Sequence, residues 1–138
     1  MLGAEVGKIS NSRTHQTYED IEISDPLWWP VWIGPQQQQE PGSALARKCS
    51  LFFPLDDRCP TQGCSTFTNI VLKNIKITNP VLSPGVILGN STNPMKNIVF
   101  DGVVVENPGT FPYQKNYLCE YADVQVSGGT TPVPSCKK

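Results

Sequence analysis

The sequence predicts an all-β protein, a parallel β-helix of about three coils, and an internal repeat is the main reason. The segment NIVLKNIKITNP, residues 69–80, returns 28 residues later as NIVFDGVVVENP, residues 97–108. In both copies apolar, mostly β-branched residues alternate with polar ones, which is the pattern of a strand with one buried face. With 13 Pro and 11 Gly in the chain, short strands and turns are favoured over long helices.

Stacking of coils explains why the chain repeats itself. A strand in a solenoid cannot bury its inward row alone, so the next coil must place a similar residue beside it. At the 28-residue offset the inward pairs are Ile70–Ile98, Leu72–Phe100, Ile75–Val103 and Ile77–Val105. Asn69 then lies over Asn97, where the two side chains can form an amide ladder.

A third, weaker copy precedes these two. The segment YEDIEISDP, residues 18–26, aligns 54 residues before the first copy, so that Ile21 falls on Ile75 and Ile23 on Ile77. Each copy ends in Asn-Pro or Asp-Pro, which turns the chain at matching points. The three copies therefore indicate three successive coils.

A second, shorter strand is predicted after each turn. PVWIG at 30–34 and PGVILG at 84–89 both place alternating apolar residues before a glycine. At an offset of 55 residues, Val31 aligns with Val86 and Ile33 with Leu88, and we expect all four to face inward. Trp32 is then expected to point outward.

The repeat is interrupted by a long predicted loop, residues 34–67, and is followed by a predicted C-terminal cap, residues 109–138. Both contain cysteines, in a pattern that lacks the spacing of a zinc site. Two disulfides and one thiol that is free or intermolecular are expected, namely Cys59–Cys64 across the turn-rich PTQG, Cys119–Cys136 closing the cap, and Cys49.

Composition excludes several functional classes. The formal net charge is -1, without a basic stripe, so nucleic acid is not an expected partner. No apolar run approaches the ~20 residues of a membrane-spanning helix, and no membrane association is predicted. His15 is the only histidine, and we expect neither a metal nor a cofactor. The whole chain, 1–138, is predicted to be one β-helix domain or the C-terminal part of a longer β-helix.

Two features favour an extracellular or secreted protein. Disulfides form in oxidising compartments, and the cysteine pattern is best explained by disulfides. The sequon NST makes Asn90 a candidate site of N-glycosylation.

The three tryptophans lie close together in LWWPVWIG, which admits two interpretations. Trp28, Trp29 and Trp32 could stack on sugar rings from an outer face, because an indole combines a flat apolar surface with an N–H. Alternatively they are covered by the long loop, whose Leu51–Phe53 is apolar, or by another chain. Three exposed indoles would favour aggregation, so we expect at least two of them to be buried.

The repeats also carry a family resemblance. FTNIVLKNIKITNP, PGVILGN and KNIVFDGVVVENP resemble the C-terminal coils of right-handed parallel β-helix proteins of the pectin-lyase-like superfamily. They are most similar to glycoside hydrolase family 28, the polygalacturonase and rhamnogalacturonase group, over roughly residues 6–108. The resemblance implies a right-handed β-helix and extracellular work on acidic plant or algal polysaccharide.

The catalytic motifs of that family are not present. The chain has no Asn-Thr-Asp motif, and His15 lies in RTHQT without the flanking glycines of a Gly-His-Gly motif. Asp56 and Asp57 are adjacent, but they lie in PLDDRC of the long loop, where a solvated or turn-stabilising role is expected. Lys8 in GKIS resembles the lysine of the Arg-Ile-Lys motif and is a candidate ligand for a uronate carboxylate, simple exposure being the alternative. No catalytic residue is expected.

Two functions remain open at this level. The first is a non-catalytic C-terminal portion of a polysaccharide-active, glycoside hydrolase-like protein, with polysaccharide as its partner. The second is a structural β-helix subunit of an extracellular matrix, wall or surface appendage. In either case the N-terminal end of the coil stack needs a cover, from upstream coils or from another chain.

Overall fold

The computed structural model describes residues 2–5, 15–34 and 67–138. In these ranges the protein is all-β and contains no helix, as predicted. The strands are β1 (Leu2–Glu5), β2 (Gln16–Ser24), β3 (Val31–Gly34), β4 (Thr68–Thr78), β5 (Gly85–Leu88), β6 (Met95–Glu106), β7 (Tyr117–Glu120) and β8 (Ala122–Ser127).

The strands form two four-stranded sheets, and the chain alternates between them. Sheet 1 has the order β1-β3-β5-β7 and sheet 2 the order β2-β4-β6-β8. All pairings between these strands are parallel. Each sheet has four strands, whereas the repeat predicted about three coils. The difference arises because β1, β7 and β8 join the sheets without carrying the repeated sequence.

The register of sheet 2 is the one that the repeat predicted. All four inward residues of β4 pair with their predicted partners on β6, and all eight side chains are buried: Ile70–Ile98, Leu72–Phe100, Ile75–Val103 and Ile77–Val105. The alignment predicted for the weaker copy of the repeat is also confirmed, since Ile21 pairs with Ile75 and Ile23 with Ile77. Each buried side chain of this size contributes about 1.5 to 3 kcal/mol, so these eight residues of β4 and β6 are the main source of stability.

The predicted register of sheet 1 is wrong by one residue. Val31 pairs with Gly85 and Ile33 with Ile87, an offset of 54 rather than 55. Ile87 therefore joins the main core, whereas Val86 packs on the outer face beside Trp32. Leu88 also packs on that outer face. A shift of one residue moves every side chain of a strand to the opposite face of the sheet.

Each long strand of sheet 2 contains one bend that the sequence pattern did not reveal. In β4, Leu72 and Ile75 are both buried, and the two residues between them are both exposed. Asn74 has φ 51°, in the left-handed region, and this turn of the backbone returns the following residues to the inward face. Asp20 in β2 and Gly102 in β6 hold the same position, with φ 57° and 70°.

Side-chain ladders run across the strands near the strand starts and at the strand ends. Asn97 Nδ2 donates to Asn69 Oδ1 at 2.7 Å, which confirms the predicted amide ladder. At the ends of β2, β4 and β6 a second ladder joins Asp25, Asn79 and Asn107, in which each Asn Nδ2 donates to the preceding side-chain oxygen at 3.1 Å. These residues also have positive φ, so one Asx side chain serves both the turn and the register.

The last residues cover part of the final edge. Thr130 Oγ1 donates to Phe100 O at 3.1 Å and accepts from Val103 N at 3.1 Å, at the bend of β6. Thr131 N donates to Val103 O at 3.0 Å, and Lys137 N donates to Cys119 O at 3.0 Å. The stretch predicted to be the cap thus contains two further strands of the sheets, followed by a tail that pairs with β6 and β7.

Replacing Gly102 with Ala is expected to lower the free energy of unfolding by about 1 to 2 kcal/mol, because a residue with a Cβ is strained at positive φ. A Cβ at Gly102 meets nothing closer than Gly128 O at 3.4 Å, so the cost is conformational rather than steric. Gly102→Asn is the matched control, because Asn adopts the same conformation at position 74. Urea unfolding should show a smaller loss for Gly102→Asn, and equal losses would contradict the role of the bend.

Candidate functional site

Sheet 1 is buried on both faces near the tryptophans. Its inner face contributes Val31, Ile33 and Ile87 to the main core. On its outer face Trp32 and Val86 are completely buried and form a second apolar cluster with Trp29. Leu82, Leu88, Tyr113 and Leu118 pack against this cluster from the turns and neighbouring strands.

Two of the three tryptophans are buried, as expected. Trp32 points outward from sheet 1, as predicted, but it is fully covered, and Trp29 is only 3% exposed. Trp29 stacks on Tyr113, with ring centroids 5.9 Å apart and an interplanar angle of 20°. Trp28 alone is exposed, at 41%. The three indoles therefore do not form one open sugar platform.

Tyr113 is a covering residue, among those that the structure describes, that the sequence did not reveal. It follows β6 in the last turn, where FPYQKN has no counterpart in the earlier coils. Its backbone N donates to Ser83 Oγ at 2.9 Å, and Ser83 Oγ donates to Gln114 O at 2.7 Å. The buried Ser83 hydroxyl thus holds this turn over the cluster. Leu51–Phe53, the predicted lid, lies outside the described residues.

An exposed apolar surface lies beside this cluster, on the turns that lead from sheet 2 to sheet 1. It consists of Leu27 and Trp28 on the first turn, Val81 on the second and Phe111 on the third, and we call it the apolar ledge. The turns are stacked through backbone bonds, since Val81 N donates to Pro26 O at 3.1 Å and Ser83 N donates to Phe111 O at 2.8 Å. Leu27 is 80% exposed and Phe111 is 60% exposed.

The charged residues on the outer face of sheet 2 form ion pairs. Lys73 Nζ lies 2.9 Å from Glu19 Oε1, and Lys76 Nζ lies 3.4 Å from Glu106 Oε1. The hydrogen bond and the negative charge of Glu19 raise the pKa of Lys73. Asp101 Oδ1 accepts from Ser127 Oγ at 3.2 Å. These exposed contacts contribute little to stability, but they engage Glu19, Asp101 and Glu106 with neighbouring strands.

The remaining candidate residues are spread over the chain. Lys8, Asp56 and Asp57 lie outside the described residues, as do Cys49, Cys59 and Cys64. His15 is exposed and directly precedes β2. Within 2–5, 15–34 and 67–138 no group of three His, Cys, Asp or Glu residues is placed to hold a metal ion.

Two predicted covalent features lie in the C-terminal half. Cys119 and Cys136 are joined by a disulfide with a Cα–Cα distance of 4.4 Å, the pair that the sequence predicted. Asn90 is partly exposed in the loop between β5 and β6, and its Oδ1 accepts from Thr92 N at 2.8 Å. Ser91 and Thr92 of the sequon are exposed, and N-glycosylation at Asn90 remains a prediction.

Among the described residues, no helix is long and apolar enough to span a membrane.

Comparison with protein-family models, with curated proteins and with solved structures gives no match. The resemblance to glycoside hydrolase family 28 therefore rests on the repeat motifs alone and stays a prediction.

In the part of the chain that the structure describes, two buried polar groups have no hydrogen-bond partner, Trp29 Nε1 and the Tyr117 hydroxyl. Tyr117 faces the main core, where its ring meets the edge of Phe100 at a centroid distance of 5.7 Å. Burial raises the pKa of the Tyr117 hydroxyl far above its usual range. Tyr117 thus acts as a core residue whose hydroxyl is an energetic cost.

We expect the protein to lose stability as the pH rises above about 10, where tyrosine ionises in the unfolded chain. The folded chain keeps Tyr117 protonated while the unfolded chain releases the proton, so high pH favours unfolding. Tyr117→Phe should flatten this alkaline decline and, at neutral pH, be neutral or stabilising by up to about 1 kcal/mol.

Urea unfolding between pH 8 and pH 11 measures both effects. Part of the alkaline decline should persist in Tyr117→Phe, because burial also raises the pKa of Tyr18 and of Tyr113. An unchanged decline in the variant would show that Tyr117 ionises as freely in the folded chain as in the unfolded one.

Proposed function

We propose that this chain is a non-catalytic, C-terminal portion of a right-handed parallel β-helix in an extracellular, polysaccharide-active protein. The observation that carries the proposal is the in-register stack of sheet 2, in which, among the described residues, only one end is covered, by the tail. The family resemblance of the repeats supplies the polysaccharide context.

The alternation of the chain between two parallel sheets supports a coiled arrangement. Successive strands of one sheet are joined through a strand of the other, so that each pair of strands completes one turn. Crossovers between parallel strands are right-handed in nearly all known proteins, which favours the right-handed form. The bends at Asp20, Asn74 and Gly102 divide the long strands and give each coil a third side.

Positive features of both sheets favour a scaffold over a catalytic surface in the described part of the chain. On the outer face of sheet 1, Trp32 and Val86 are completely buried, and Leu88 and Leu118 are partly buried beside them. On sheet 2, Glu19 and Glu106 are neutralised by lysines of neighbouring coils. A glycosidase needs two carboxyl groups on either side of an accessible glycosidic bond. These surfaces are instead used for packing and for register.

The two ends of the stack of strands differ, as expected for the C-terminal segment of a β-helix. At one end the tail pairs with β6 and β7, and the Cys119–Cys136 disulfide ties it to β7. At the other end, within the described residues, no strand pairs with the outer edge of β2. Tyr18, Ile21 and Ile23 of β2 are only partly buried. We propose that upstream coils or a second chain cover this edge.

The disulfide and the exposed sequon support an extracellular location. A disulfide that pins the tail persists in an oxidising compartment and would be lost in a reducing one. The disulfide-bonded tail and the loop that carries the Asn90 sequon would then both be typical of a secreted protein.

The first test is catalytic. The purified chain, with its disulfide intact, is expected to release no reducing ends from polygalacturonate above the level of a buffer control. A polygalacturonase assayed in parallel confirms that the substrate is competent. Release that scales with protein concentration would overturn the non-catalytic assignment.

The second test concerns the edge of β2. In an end strand, alternate amides point away from the neighbouring strand and exchange with solvent. Hydrogen–deuterium exchange of the dilute chain should therefore show fast exchange for part of β2 and slow exchange throughout β4, which is paired on both sides. Full protection of β2 at the lowest concentration would show that the chain already covers this edge.

A further inference from the structure

The apolar ledge holds most of the large exposed apolar residues of the described chain. Leu27, Trp28, Val81 and Phe111 belong to it, and only Val126 and Val133 lie elsewhere. Natural proteins rarely concentrate exposed apolar side chains without a binding role. Two of the four are aromatic, Trp28 on the first turn and Phe111 on the third.

A row of hydrogen-bonding groups borders the ledge. Asp25, Asn79 and Asn107 are exposed, and the first two directly precede the turns that carry Leu27 and Val81. Their ladder uses one amide hydrogen of each Asn. An amide group has two such hydrogens and a carboxylate has two oxygens, so donors and acceptors remain on the solvent side. Apolar rings beside a row of Asx groups match the two faces of a sugar, its C–H surface and its hydroxyls.

The size of the ledge favours a narrow ligand over a protein. Coils are spaced by about 4.8 Å, so three stacked turns extend about 10 Å along the stack. The six or seven residues of each turn extend at most about 25 Å across it. This area is far below the ~800 Å² that each partner buries in a stable protein–protein interface. A second copy of this chain is therefore too large an occupant for the ledge alone.

The charge of the ledge selects among glycans. Its three turns, residues 25–30, 79–84 and 107–113, contain one acidic residue, Asp25, and neither Lys nor Arg. A polyuronate carries a carboxylate on each residue, and recognition of it requires cationic partners. Asp25 would repel such a chain, whereas neutral hydroxyls can donate to its carboxylate.

From these observations we propose that the apolar ledge binds a neutral polysaccharide, with Trp28 and Phe111 stacking on sugar rings and the Asp25–Asn79–Asn107 ladder bonding to hydroxyls. The inference deepens the proposed function, on which it rests for its polysaccharide context, by naming the glycan class. It differs from the acidic substrate that the family resemblance implies.

Affinity electrophoresis of the intact, disulfide-bonded chain tests the proposal, with hydroxyethyl cellulose and glucomannan as neutral probes and polygalacturonate as the acidic probe. The neutral probes should retard the chain, and polygalacturonate should not. Trp28→Ala and Phe111→Ala should each weaken binding by about 3- to 10-fold, the value of one ring contact. Phe111→Tyr retains the ring and should bind nearly as the parent does.

Val133→Ala is the matched control, because Val133 is similarly exposed, at 59%, but lies on the tail. Near-ultraviolet circular dichroism and the unfolding midpoint of each variant establish that the fold is kept. No retardation by the neutral probes, stronger retardation by polygalacturonate, or unchanged binding in the Trp28→Ala, Phe111→Ala double variant would each overturn the proposal. So would a change of oligomeric state in Phe111→Asp, which would assign the ledge to a second copy.

These outcomes are separable from those of the proposed function. Failure to bind neutral glycans leaves the reducing-end and exchange results for the scaffold untouched. Release of reducing ends, conversely, would overturn the non-catalytic assignment without bearing on the ledge.

Discussion

The parallel register between β4 and β6 is the constraint on which the rest of the structure depends. Backbone pairing places each residue beside the one 28 positions later, so the core is built from columns of similar side chains. A shift by one residue would expose the whole inward row, at a cost of several kcal/mol. The Asx ladders reinforce the same register from outside the core, because Asn69–Asn97 and Asn79–Asn107 can bond only when the two strands are aligned.

The sequence predicted sheet 2 well because its strands repeat, and it predicted sheet 1 less well because those strands are short. Val86, Ile87 and Leu88 are consecutive apolar residues, so alternation cannot tell which of them faces the core. The pairing of Val31 with Gly85 decides it, since a Cβ at Gly85 would lie 2.5 Å from Val31 O. That close approach is a tertiary property with no local pattern. The strands β1, β7 and β8 were not predicted, because they join the sheets by backbone pairing and lack the repeated residues.

The site shows the same division between local and tertiary information. Clustering of the tryptophans and the cost of exposing them were enough to predict that at least two are buried. Their cover was not predictable, because Tyr113 lies 84 positions from Trp29 and is held in place by the hydroxyl of Ser83. The bends were hidden for a different reason. Asn, Asp and Gly all tolerate positive φ, so the same bend is formed by a different residue type in each of β2, β4 and β6, and the repeat does not reveal it.

The turns between the sheets contribute both to packing on sheet 1 and to the exposed apolar ledge. Residues of the first turn point in different directions, since Trp29 packs on sheet 1 while Leu27 projects into solvent. Because the turns are stacked by backbone bonds, the projecting residues Leu27, Val81 and Phe111 lie on neighbouring turns of the chain. The packing of Trp29 against Tyr113 then fixes the first and third turns relative to each other. A ligand that contacts Trp28 and Phe111 would therefore meet a surface already held in place, and would pay little ordering entropy on binding.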